Sequence, residues 1–138
     1  MNDKEHIAYA KSELQQFSYL KKKDPKLALK AEEIYTRLKN VKSPSAPKEE
    51  GGGGSNPYLR AELFDQLEEI KLEREGIKRR TDRVDRFMRS LELEDKNSLY
   101  RVYVRQEDKR VSLECEAIKR NYSRTGLIKR LDKLLEEF

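Results

Sequence analysis

Residues Ser112 to Phe138 read SLECEAIKRNYSRTGLIKRLDKLLEEF, and the side chains there that can do chemistry are basic and hydroxylic. Two short helical patterns follow one another, each opened by a serine, with a very short joint around Arg120–Tyr122. That is how a helix-turn-helix is written, and the chemistry it would perform is binding to double-stranded DNA. A recognition helix, here residues 123–137, lays its N-terminal side chains against base edges in the major groove while the preceding helix crosses the backbone. Arg124 can reach guanine bidentately, Thr125 can touch a thymine methyl or a phosphate, and Ile128 and Lys129 lie on the same exposed side. Ser112 and Ser123, with the free N–H groups behind them, suit phosphates as well as helix caps. Lys119, Arg120 and Arg130 would add sequence-independent affinity that falls with salt. The bland alternative is a helical hairpin with an exposed basic side.

Charge permits a nucleic-acid partner without proving one. The chain carries a formal net charge of +5, and between Lys119 and Lys133 six basic residues face one acid, Asp132. Catalysis has no candidate constellation: the one histidine, His6, has no triad or metal-ligand partner at a suitable spacing, and the carboxylates alternate with bases along helices. No catalytic residue, metal ligand or cofactor is expected. Cys115 stands alone, which rules out an internal disulfide and fits a reducing cytoplasm; its neighbours Ala117 and Ile118 suggest a small core residue. The start lacks a signal-peptide apolar run and no stretch has the roughly 20 apolar residues of a membrane span, so a cytoplasmic protein without a membrane partner is expected.

The elements that must position this site are helical. Of 138 residues, 41% are charged and 36% hydrophobic, which suits long amphipathic helices with narrow apolar stripes better than a compact globule. The expected class is all-α. In residues 1–41 a first pattern over 4–23 places Ile7, Ala10, Leu14, Phe17 and Leu20 on one face, with Asn2 or Asp3 as cap. Asp24-Pro25 reads as a restart, and Leu27, Ala31, Ile34, Leu38 and Val41 continue at heptad spacing, so a helical hairpin is expected. Residues 42–57 hold three of the four prolines and four of the six glycines, a flexible linker whose GGGGS is either a natural loop or a splice between native segments. Residues 58–91 carry the longest pattern, with Leu63, Leu67, Ile70, Ile77, Val84, Met88 and Leu91 on a seam that Arg74 and Thr81 interrupt and Gly76 weakens. A heptad helix of that length wants a partner, either the N-terminal hairpin or a second copy, and a homodimer is the simplest oligomer. Its cluster Lys78-Arg79-Arg80, Arg83, Arg86 and Arg89 reads as a solvated face laced with ion pairs, the alternative being a backbone-contacting flank that helps hold DNA.

Residues 92–138 form the head. Leu99, Val102, Tyr103 and Val104 make the buried face of a helix ending near Arg105, and Gln106–Val111 a polar turn. Ser112 caps a helix with Leu113, Ala117 and Ile118 inward. Ser123 caps the last helix, whose stripe is Leu127, Leu131, Leu134 and Leu135, with Tyr122 packing back on its first turn.

The run from Leu93 to Leu135, with DKNSLYRVYVRQ, SLECEAIKR and YSRTGLIKRLDKLL in succession, resembles the sigma-factor region-four-like helix-turn-helix of small phage regulators of the ArpU/RinA type. The resemblance covers about a third of the chain. It implies a transcriptional regulator of phage or prophage genes in a bacterial host cell. Ser123, Arg124, Thr125 and Lys129 then inherit the base- and phosphate-contacting positions, and the arm becomes the dimerisation or RNA-polymerase-facing part. Glu114 and Glu116 on the supporting helix, and Gly126 in the recognition helix, depart from the family's pattern. A rival from another class is a non-enzymatic helical protein-interaction module, an inhibitor or assembly factor of a mobile element.

Overall fold

A computed structural model describes residues 2–41 and 58–138 and is all-helical over them, as the composition and periodicity predict. The expected linker at 42–57 lies outside the described residues. The chain comprises α1 (Asp3–Asn40), α2 (Leu59–Arg89), α3 (Leu93–Leu99) continued by a π turn (Tyr100–Val104), a 3-10 turn (Glu107–Lys109), α4 (Leu113–Lys119) and α5 (Arg124–Leu135). No helix among the described residues is long and apolar enough to cross a membrane.

The hairpin expected within residues 1–41 does not form. α1 runs unbroken from Asp3 to Asn40 with Pro25 inside it, and its N-cap is Asn2, whose Oδ1 accepts the Glu5 N–H at 2.8 Å. The restart signal loses because the apolar phase does not change at the proline. Glu13, Leu20, Leu27 and Ile34 are all buried and recur every seven residues on both sides of it, so a continuous helix keeps them on one stripe. Asp24, read as a cap, instead accepts both nitrogens of the Arg74 fork, at 2.9 and 3.2 Å.

Two compact units divide the chain. The first, residues 23–77, pairs the second half of α1 with the first half of α2, antiparallel. Leu27 and Ile34 are buried there with Leu63, Ile70 and Ile77, while Ala31, Leu38 and Leu67 are half-buried. The heptad stripes of the two helices thus cover each other within one chain. Arg74, which interrupts the seam in the sequence, is the partner of Asp24, and Lys23 pairs with Glu73 beside it.

The second unit, residues 1–22 and 78–138, holds the main core. Ala10 and Leu14 of α1 and Val84, Phe87 and Met88 of α2 join Leu99, Val102, Tyr103, Val104, Ala117, Leu127, Leu131, Leu135 and Phe138. Three consecutive buried residues, Val102 to Val104, fall where the helix widens into a π turn, closed by Arg105 N–H to Tyr100 O at 3.0 Å. Side chains satisfy the carbonyls this leaves exposed: Ser18 donates to Val104 O at 2.6 Å, and Arg110 to Arg105 O at 2.8 Å. In the arginine-rich part of α2, Arg80 is bidentate to Glu13 and Arg83 donates to Phe138 O at 2.7 and 3.2 Å while stacking over the Phe138 ring. Lys78 pairs with Asp82 on the surface, and Arg79, Arg86 and Arg89 stay exposed.

Candidate nucleic-acid interface

Two short helices and a four-residue connection build the site. Ser112 opens α4, its Oγ accepting the Cys115 N–H at 3.0 Å, and Ser123 opens α5, its Oγ accepting the Gly126 N–H at 2.9 Å. Between them α4 ends in a Schellman motif. Tyr122 N–H bonds Ala117 O at 2.8 Å, Asn121 N–H bonds Ile118 O at 3.2 Å, and Asn121 sits at φ 59°. Asparagine tolerates that left-handed conformation better than most residues, which is why the chain can turn so sharply here. Gly126 also has a reason: a Cβ there would stand 2.9 Å from the Ser123 hydroxyl and against the Tyr122 ring, so the small residue makes room for the cap.

What holds the two helices is a polar cluster. The Asp95 carboxylate on α3, 2% exposed, accepts Nη1 of Arg120 at 3.1 Å and the fork of Arg130 at 2.8 and 3.2 Å. Arg120 caps the C-terminus of α4 and Arg130 lies in mid-α5, so one carboxylate ties both helices to a third. Beside it Glu116, 1% exposed, accepts Nε and Nη2 of Arg101 and the Ser98 hydroxyl, and Ser98 Oγ in turn accepts from Arg120 Nη1 at 3.2 Å. Buried carboxylates are tolerable only when paired and hydrogen-bonded in this way. The Arg101 hydrogen bonds hold the Glu116 carboxyl below the usual range against the effect of burial. For Asp95 burial works the other way, but the hydrogen bonds from Arg130 and Arg120 outweigh it, and this carboxyl too is held low.

That sets a pH dependence. Groups whose folded pKa is depressed contribute stability that is fully present above their unfolded values, about 4, and that is lost as the pH falls through the folded values. The urea midpoint is therefore expected to drop below about pH 4 more steeply in the native chain than in the Asp95→Asn/Glu116→Gln variant. Equal slopes would show that the cluster contributes nothing to acid stability.

The nine residues expected to touch DNA divide into three groups. Lys119, Arg124, Thr125 and Lys129 are exposed, and Lys119, Arg124 and Lys129 make no ion pair with any described residue. Ser112 and Ser123 are exposed caps, and Ile128 is half-buried at the edge of the same face. Arg120 and Arg130 are ion-paired. Their guanidiniums are bound to Asp95, with Arg120 reaching Glu94 at 3.5 Å as well, and the Arg120 side chain is only 10% exposed. Two further expectations on α4 fail. Cys115 is exposed, and Ile118, expected inward, is 72% exposed. The inward face runs Leu113, Glu116, Ala117, Arg120, a spacing of three and four that apolar periodicity passes over because two of its members are charged. An acid and a base on the inward side of a short helix were the available signal.

Among the described residues no group of three or more histidine, cysteine, aspartate or glutamate side chains could hold a metal ion. Compared with protein-family models, curated proteins and solved structures, the chain matches none.

Proposed function

We propose that residues 92–138 bind double-stranded DNA as a helix-turn-helix, with the N-terminal half of α5 in the major groove. The observation that carries this is a sorting of the basic residues. Arg120 and Arg130 are ion-paired to Asp95, whereas Lys119, Arg124 and Lys129, at the end of α4 and in the first half of α5, make no ion pair with any described residue. A helix N-terminus also offers N–H groups that suit phosphate. Glu116, an acid that would repel a backbone, is buried away from that face. The resemblance to ArpU/RinA-type regulators extends the reading to transcriptional control of phage or prophage genes in a bacterial cytoplasm, with RNA polymerase as a further partner.

Selection from a randomised duplex pool, followed by gel shifts in a salt series, tests the proposal. Arg124→Ala/Lys129→Ala is expected to weaken binding to the selected duplex by about tenfold or more, at roughly 1–3 kcal/mol per base contact. Lys119→Ala is expected to weaken all duplexes alike and flatten the salt slope by about one. Failure of any sequence to enrich would overturn the proposal. One feature favours a protein partner instead: Ile118 and Leu93 are 72% and 70% exposed. Binding to selected and unselected duplex with equal strength, lost on Ile118→Asp but kept on Arg124→Ala, would favour that reading.

Paired half-sites would need two copies. The heptad stripe of α2 in the 23–77 unit is covered by α1 of the same chain, so a dimer would use other surfaces, among which Leu29, Tyr35, Phe64 and Leu72 are exposed apolar residues. Sedimentation at micromolar concentration separates monomer from dimer.

A further inference from the structure

We infer that Asp95 is a specificity-determining positioning residue of this head: it holds Arg120 and Arg130 away from phosphate and fixes α5 against α4. The inference rests on the DNA-binding reading above. Asp95 lies on α3, outside the two helices that would touch DNA, yet its carboxylate makes three hydrogen bonds to them. Arg120 follows the last residue of α4 and precedes the left-handed Asn121, so its tether holds the turn itself. Arg130 is one residue beyond Lys129 and its side chain is 41% exposed, so the Asp95 fork, which takes its Nε and Nη2, is what competes with a passing phosphate for it.

Guanidiniums that reach phosphates raise affinity for every duplex alike, because counterion release carries no sequence information. A carboxylate that ties two of them down therefore lowers non-specific binding. By fixing two helices at once it also keeps the base-reading side chains in register, where small displacements erode discrimination. The charge argument and the geometric argument point the same way: specificity falls when Asp95 is neutral. Removal of an ordinary acid near a DNA surface predicts no change in selectivity, only a uniform rise in affinity.

The experiment uses the full chain, a duplex selected from a randomised pool, and the unselected pool. Asp95→Asn is expected to bind the unselected pool more tightly, with a salt slope steeper by about one to two, at about 0.9 per phosphate contact. Its preference for the selected duplex is expected to fall by about tenfold, the scale of losing one base-pair discrimination. In Asp95→Asn/Arg130→Gln the slope is expected to return by about one, which a merely structural role for Asp95 would not produce. Far-UV circular dichroism and the urea midpoint check that each variant folds. Should Asp95→Asn not fold, Arg130→Gln alone decides: loss of preference without a steeper slope supports the inference. Selectivity and slope both unchanged in every folded variant overturn it while leaving DNA binding intact. If no duplex enriches with the native chain, the DNA-binding reading fails and the inference fails with it.

Discussion

Glu116→Ala is expected to destabilise the 1–22/78–138 unit by about 3–5 kcal/mol, the usual cost of removing one partner from a buried ion pair. Glu116 is 1% exposed and accepts hydrogen bonds from Arg101 and Ser98, so truncation leaves Arg101 facing its own desolvation and opens a hole beside Ala117. The Arg101 side chain is 21% exposed, which lets some water reach the orphaned charge and places the loss at the lower end of that range. Urea denaturation of the full chain measures it. The double variant Arg101→Ala/Glu116→Ala is expected to be less destabilised than the sum of the single ones, since neither leaves a charge behind. A loss below about 1 kcal/mol would be the cost of an exposed pair and would mean that Glu116 is in contact with solvent. The same substitution bears on function. On the proposed DNA-binding reading, an acid facing DNA would raise affinity when removed; Glu116 is buried, so its removal is expected to lower affinity only through stability.

Pro25→Ala is expected to stabilise the chain, by up to about 3 kcal/mol. A proline inside a helix lacks the N–H that would bond the carbonyl four residues back, here Lys21 O, and its ring crowds that carbonyl. α1 nonetheless continues through it, and Pro25 is exposed, so alanine removes the defect without disturbing a packed contact. What sustains the helix is burial on both sides of the proline: Leu14 and Leu20 before it, Leu27 and Ile34 after it. Each would leave its stripe if the chain turned. A rise in the urea midpoint is the expected reading, with helical content by circular dichroism unchanged or slightly higher. A fall in stability would indicate that the native backbone at this point is adapted to proline and that α1 bends there.

These two residues also mark where the sequence was legible and where it was not. Apolar spacing located α2 almost to its ends, the stripe Leu127–Leu131–Leu135 and the buried set Leu99, Val102, Tyr103 and Val104, because burial of an apolar face leaves a period that can be counted. The caps Ser112 and Ser123 were equally readable, since a hydroxyl before a helical pattern has few other uses. Asp24-Pro25 misled because local signals for a helix start are real preferences of only a few kcal/mol. A seam that stays in phase over four heptads outweighs them.

The residue types around α5 by themselves set the expectation of charge-based recognition: hydroxyl caps, and arginines and lysines in the first half of a helix. The tertiary structure alone decided which of those cations remain available. Arg120, Arg124, Lys129 and Arg130 are indistinguishable in a one-dimensional count of charge, and the acid that separates them, Asp95, is 25 to 35 residues away. Ion pairs between elements depend on where helices pack, which no local period encodes. The fold thus divides a largely basic stretch into two arginines ion-paired to Asp95 and a set that makes no ion pair with any described residue.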